Sequence, residues 1–245
     1  MIGGGLAGLT TALELARRGV SVVLLEGKRL AWGASGRNGG FVSNGFSEGM
    51  NRIAARVGRE GASALYQLSR FGTEYVRREI AEGGPPIKLG DGKLRCYRYS
   101  DPAGVKAAIA AMARDYGHEL SFLDTAETRA RVRSVDYFQS IHDPSAFHIH
   151  PLRYALMIAA KAEAAGARLH EMSPALAVSA SGGGYRVRTP RGEACALSHR
   201  LFDVSRHLGK NAGECHAFRF RGAHAGFGFS PSSRCRAGAR TRTRG

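Results

Sequence analysis

Ile2-Gly3-Gly4-Gly5-Leu6-Ala7-Gly8, continued by Leu9 to Arg18, Gly19 and Val20-Ser21-Val22-Val23-Leu24-Leu25-Glu26, is the stretch whose reading decides the fold. Gly3, Gly5 and Gly8 stand at the spacing G-x-G-x-x-G. In a Rossmann-type turn the first glycine permits the bend, the second lets the backbone approach a pyrophosphate, and the third allows close helix-to-strand contact. Leu9, Ala12, Leu13 and Ala16 share one face of the helix predicted over 9–18, and Gly19 stands where a helix C-terminal glycine belongs. Residues 20–25 are β-branched and almost wholly apolar, as a buried parallel strand requires. Glu26 closes that strand 18 residues after Gly8, where a carboxylate accepts the hydroxyls of an adenosine ribose. Turn, helix, strand and acid together point to a dinucleotide on the N-terminus of the helix, where unsatisfied N–H groups and the helix dipole favour negative charge.

Outward from this unit, 31–46 is rich in Gly, Ser and Asn and too irregular for regular structure. Within it, Trp32-Gly33-Ala34-Ser35-Gly36-Arg37-Asn38-Gly39-Gly40 offers successive backbone N–H groups and small polar side chains to a phosphate or ring edge; by composition alone it also reads as a surface loop. Helices are expected over 62–81, with Leu65, Leu68, Phe71, Tyr75 and Val76 on the core stripe, and over 102–116, capped by Asp101 with Pro102 in the first turn. Between them, 87–99 reads as a strand pair turning at Gly90-Asp91-Gly92. A helix over 151–165 ending at Gly166, a strand over 167–171, and a hairpin of 175–180 and 185–189 follow.

The 245 residues carry 43% hydrophobic side chains, enough for a real core, and no apolar run reaches the roughly 18 residues of a membrane helix. With no basic segment ahead of an apolar stretch, no secretory signal is expected, and a cytoplasmic location is the expectation. The net charge of +16 is concentrated: from Cys195 onward ten Arg and Lys face two acids, half the excess. Cys96, Cys195, Cys215 and Cys235 form neither a metal knuckle nor a compact disulfide framework and read as free thiols. His142, His148 and His150 have no acid partners in metal-ligand spacing, so no metal is expected. His148 and His150, two apart, face opposite sides of an extended segment and are assigned structural roles. Asp143 and the other carboxylates show no pairing for acid–base work, and Ser35 lacks the setting of a nucleophile elbow.

On three stretches, Gly3 to Glu26, Trp32 to Gly40, and Phe147-His148-Ile149-His150-Pro151-Leu152-Arg153-Tyr154-Ala155 with the helix that follows, the chain resembles the D-amino-acid oxidase-like FAD oxidoreductases, and among them the gamma-glutamylputrescine oxidoreductase type. The resemblance runs over about residues 1–192. It implies an α/β fold: a Rossmann-like, glutathione-reductase-type FAD-binding domain, with an inserted α+β substrate domain, incomplete in this chain. Residues 1–79 and 148–193 are then the two parts of the FAD-binding domain, 80–147 a substrate-domain segment, and 194–245 an irregular basic tail. It implies that Gly3, Gly5 and Gly8 face the FAD pyrophosphate and Glu26 the adenosine ribose. Ala34, Ser35, Asn38 and Gly39 line the pyrophosphate and flavin side, and Ala175 offers backbone atoms to the adenine. The implied reaction is oxidation of a carbon–nitrogen bond of a small amine or amino acid, with oxygen or a quinone as electron acceptor and no side chain obliged to act as acid or base.

Two departures from the family pattern stand out. Its first strand precedes the glycine turn by several apolar residues, where this chain has only Met1 and Ile2, as a late start or a gene fragment produces. After about Glu193 the family sequence stops; Arg200 to Arg206 can be back-translated so that reading one nucleotide later gives Val-Phe-Ser-Thr-Ser-Ala, and the tail is expected to be either disordered or the product of a frameshift. Three readings are therefore set against one another: an FAD enzyme, an inactive fragment of one, and a nucleic-acid-binding protein acting through the basic tail. Flavin absorbance marks the first, salt-dependent retention on DNA the third, and the second predicts neither.

Overall fold

The computed structural model describes residues 1–82 and 87–196. The chain divides into two compact units, Met1–Trp32 with the residues from Lys161 onward, and Gly33–Ala160. The basic tail beyond Ala196, with Cys215, Cys235 and the proposed frame change, lies outside the described residues.

In the first unit the glycine turn leads into α1 (Leu6–Arg17), whose buried face is Gly8, Leu9, Ala12, Leu13 and Ala16. The helix stops on Gly19, which takes the left-handed conformation at φ 74°. The Gly19 N–H bonds the Ala16 carbonyl and the Val20 N–H the Leu15 carbonyl, the paired closure of a Schellman motif. That closure uses the N–H of Val20, so the strand expected over 20–25 is shorter: β1 is Val23–Leu25. It pairs in parallel with β6 (Arg168–His170), Leu24 opposite Leu169. On its other edge Leu25 donates to Met1 O and accepts from Gly3 N–H, at 2.9 and 2.8 Å. The hairpin expected over 175–189 forms and gains a strand: β7 (Ala177–Ser181), β8 (Gly184–Thr189) and β9 (Gly192–Ala196) make an antiparallel meander. Regular structure thus runs to Ala196, a little beyond the point where the pattern was expected to fail.

The second unit is built on β5 (Gln139–Ile149), an eleven-residue strand. β3 (Lys88–Tyr97) pairs along its length, and β2 (Phe41–Val42) and β4 (Ser121–Leu123) also pair antiparallel with it. The strand pair expected over 87–99 is not formed. β3 is one strand, and Gly90-Asp91-Gly92 lies at its register shifts against β5 rather than at a turn, as β-bulges allow. α3 (Pro102–Tyr116) matches its sequence signals: the Asp101 side chain accepts from Gly104 N–H at 2.9 Å, and Gly117 closes the C-terminus. α4 (Thr125–Val132) opens with a capping box between Asp124 and Glu127. α5 (Pro151–Ala164) begins at the expected proline.

α2 (Met50–Ala81) starts twelve residues earlier than expected and contains a break at Gly58 (φ 79°, ψ 168°). Its buried residues are Ala62, Tyr66, Thr73 and Glu79. The expected core stripe is displaced, for Leu68 and Phe71 are 62% and 63% exposed. The reason is the partner surface. Ala62 and Tyr66 pack with Tyr116 and Met112 of α3, and Met50, Ile53 and Ala54 of the first turns join them, so the small residue and the long ring set the inward face.

Candidate functional site

The predicted cofactor residues fall into two groups, one in each unit. In the first unit, Gly3, Gly5, Gly8 and Glu26 lie together. A Cβ on Gly8 would come 2.0 Å from the Gly3 carbonyl oxygen, and one on Gly4 would come 2.8 Å from Leu30 and 2.9 Å from Glu26. The turn is therefore closed on itself with no room for a side chain at Gly4 or Gly8. Gly5 occupies the N-cap of α1 and supplies no side-chain acceptor. Glu26 reaches back from the end of β1: Oε2 accepts from Gly4 N–H at 2.6 Å and Oε1 from Lys28 N–H at 2.8 Å. Each oxygen keeps a lone pair for a further donor. Glu26 N–H itself bonds His170 O, so β6 fixes the residue that carries the carboxylate. Ala175 is half-buried in the same unit. It follows Pro174, which would be 3.5 Å from a Cβ on Gly27, and precedes Leu176, whose N–H bonds Arg188 O.

In the second unit, Ala34, Ser35, Asn38 and Gly39 lie in one loop that opens with a 3-10 turn, Ala34–Gly36. Asn38 is committed to this loop. Its Nδ2 donates to Ala34 O and Ser35 O at 2.9 and 3.1 Å, and its Oδ1 accepts from Gly40 N–H at 2.8 Å. The loop joins the sheet through His148, whose Nε2 donates to Gly39 O at 2.8 Å and whose ring stacks on Phe41, centroids 5.2 Å apart. Phe41, 78% exposed, lies so close over Gly39 that a Cβ there would meet its ring at 2.8 Å. His150 takes a different part: Nδ1 accepts from Arg153 N–H at the start of α5.

The residues of the first unit fit a dinucleotide cofactor. The first unit offers a helix N-terminus with no side-chain cap, a run of three glycines at the turn, and a carboxylate held at the strand end. That donor set suits a pyrophosphate and a ribose.

The family model described as "DAO: FAD dependent oxidoreductase" matches residues 1–199. The chain belongs to that family. The family is one of FAD-dependent oxidoreductases, and FAD is its cofactor. It is 34% identical over 198 residues to a probable oxidoreductase OrdL of Rhizobium meliloti (strain 1021), covering 80% of this chain and 46% of that protein. It is 31% identical over 205 residues to the gamma-glutamylputrescine oxidoreductase of Escherichia coli (strain K12), again covering 80% of this chain and 46% of the relative. The chain spans a little under half the length of these curated relatives. Among solved structures it shares the fold of L-amino acid deaminase from Proteus vulgaris (TM-score 0.63, 20% identity, 78% of this chain and 44% of that one). It likewise shares the fold of glycine oxidase from Bacillus cereus ATCC 14579 (TM-score 0.58, 21% identity, 79% and 51%).

One cluster of the second unit has no counterpart in the sequence reading, which gave Asp143 no partner. Asp143 is paired. His118 Nε2 donates to its Oδ1 at 3.1 Å, and Ser145 donates to the same oxygen from Oγ at 2.6 Å and from N–H at 3.0 Å. Burial alone would raise the Asp143 pKa, but the hydrogen bonds from His118 and Ser145 outweigh it and hold it down to about 2. The other ring nitrogen of His118 bonds the hydroxyl of Tyr66, which is 1% exposed. Burial, aided by the Asp143 charge, pushes the Tyr66 hydroxyl up to about 12 despite the opposing Arg70. Asn44 Nδ2 donates to Ser145 Oγ at 3.1 Å, while Asn44 Oδ1 is buried without a partner among the described residues. The partners are 52 and 25 residues apart in the chain, so no local spacing announces them. A cavity of about 310 Å³ in the same unit is lined by Arg77, Ile80, Ala81, Lys88 and Phe147. Among the described residues no three His, Cys, Asp or Glu are grouped to hold a metal ion, and no helix is long and apolar enough to cross a membrane.

Proposed function

We propose that this chain carries FAD-holding machinery of an oxidoreductase acting on a C–N bond of a small amine or amino acid, with a gamma-glutamylputrescine-like substrate first in order. The observation that carries the reading is the turn Gly3–Gly8, packed too closely for a side chain at Gly4 or Gly8, with the Glu26 carboxylate folded back on it at the start of α1; such a turn lets backbone approach a pyrophosphate and such an acid accepts from a ribose. In this reading Gly3, Gly5 and Gly8 face the pyrophosphate and Glu26 the ribose. Ala34, Ser35, Asn38 and Gly39 serve the pyrophosphate and flavin side, Asn38 by holding the loop's shape rather than by reaching outward. Ala175 presents backbone to the adenine. Residues 1–79 and 148–193 serve the cofactor and 80–147 the substrate. When bound, the flavin supplies acceptance of a hydride from the carbon bearing the nitrogen, and the imine so formed is hydrolysed. The 31% identity to gamma-glutamylputrescine oxidoreductase supports the substrate preference, a cytoplasmic location accompanies it, and oxygen or a quinone takes the electrons.

The test is a visible spectrum of the purified protein, before and after incubation with FAD and desalting. Flavin bands that stay with the protein, and that bleach when gamma-glutamylputrescine is added without oxygen, are the expected result. A folded protein that stays colourless after incubation overturns the reading.

A further inference from the structure

The segment following the glycine loop is held by little backbone pairing. β2 is only Phe41–Val42, and beyond it the chain runs through Ser43–Gly49 before α2 begins. Side chains take over where the ladder stops. Asn44 donates to Ser145 of β5 at 3.1 Å, and Gly45 N–H donates to Ser69 of α2 at 2.9 Å. Ser69 Oγ in turn donates to Tyr66 O at 2.7 Å. Both anchors thus lead to Tyr66: one along the α2 backbone, the other through Ser145, Asp143 and His118 to the Tyr66 hydroxyl.

We propose that Asn44, Ser145, Asp143, His118 and Tyr66 form a positioning network that fixes the Phe41–Gly45 segment and, through it, the Asn38–Gly40 end of the cofactor loop. The link to the cofactor rests on the function proposed above. Tyr66, His118 and Asp143 are buried and bonded to one another, so they act on the segment through Ser145 and Asn44. What the network controls is geometry. Gly40 and Phe41 are continuous with Asn38 and Gly39, and the loop's own bonds (Asn38 to Gly40, His148 to Gly39) end where the Phe41–Gly45 segment begins, so the course of that segment bears directly on the loop's end. The Asp143 carboxylate organises that exit, because one oxygen collects His118, Ser145 Oγ and Ser145 N–H at once. Cooperative hydrogen-bonded chains of this kind rigidify the groups they join. The unpartnered Asn44 Oδ1 is a cost that an apolar residue in its place would avoid, and the bond from its Nδ2 to Ser145 is what is gained.

Hydrogen–deuterium exchange on the full chain, compared with FAD titration, tests this. Asn44→Ala and Ser145→Ala each remove one link at the segment itself. Exchange of the 38–45 amides should quicken about tenfold in either, with no further gain in the double variant, because the links act in series. The dissociation constant for FAD should rise about tenfold in the same variants. Asp101→Ala, which weakens the separate N-cap of α3, controls for general loosening and should leave the 38–45 amides as they are. Unchanged exchange in Asn44→Ala and Ser145→Ala, or the same acceleration in Asp101→Ala, overturns the network. If the wild-type chain takes up no FAD, the proposed function fails, and the exchange measurement alone decides whether the network holds the loop.

Discussion

Gly8 has less freedom than its place on a helix suggests. A methyl group there meets the Gly3 carbonyl oxygen at 2.0 Å, with backbone on both sides of the clash, so relief requires the turn to open. Gly8→Ala should cost about 2–3 kcal/mol, read as a lower urea midpoint at unchanged slope. An unchanged midpoint would mean that the turn is not closed as described. Asp143 makes a prediction about pH. Its folded pKa, about 2, lies below the ordinary value of 3.8, so its contribution to stability is full above the ordinary value and is lost as pH falls through about 2. The stability difference between wild type and Asp143→Asn, followed by urea unfolding from pH 6 to 2, should hold steady and then shrink below about pH 4. A difference that does not change with pH would remove Asp143 as an ionised partner of His118 and Ser145. At this scale the sequence is legible where chemistry is local. Glycines at fixed spacing and an acid at a strand end announce themselves, whereas Tyr66, His118 and Asp143 meet only through the fold.

The elements show the same division for a different reason. α3 was legible because its start carries two signals, the capping Asp101 and Pro102 in the first turn. Asp101→Ala should lower stability by about 1 kcal/mol, seen as a reduced melting temperature with the same fold by circular dichroism. α4 carried an equally good signal in Asp124 and Glu127, but its eight residues offered no apolar period to support it. β5 was hidden by its content: Pro144 interrupts it, and Gln139, Ser140, His142, Asp143 and Ser145 give it the composition of a loop although most of it is buried. The start of α2 was obscured by Gly58, whose φ of 79° and ψ of 168° belong to a region that only glycine occupies at ease. No atom lies within 4 Å of a Cβ built there, so Gly58→Ala isolates backbone strain from crowding. It should destabilise by about 1–3 kcal/mol in thermal unfolding. A variant as stable as wild type would mean that the helix can run straight through.

For the whole molecule, the fold class was legible because one parallel unit, the turn, α1 and β1, carries its order in 26 consecutive residues. β6 joins it from more than 140 residues away, placing His170 O on Glu26 N–H. Long-range pairing thus supports the residue on which the cofactor reading depends. If FAD binds the folded chain and not the unfolded one, it must stabilise the chain by mass action, by about 2.7 kcal/mol at a hundredfold excess over its dissociation constant. The melting temperature should therefore climb with FAD concentration without levelling at one equivalent. Glu26→Gln separates support of the turn from recognition of the ribose. The amide still offers one oxygen, enough for Gly4 N–H, but an NH₂ stands where the second carboxylate oxygen accepted from Lys28. In Glu26→Gln the melting temperature without FAD should fall slightly and the whole FAD-dependent rise should move to higher concentration. A rise at the same concentrations in both proteins would show that Glu26 holds only the turn.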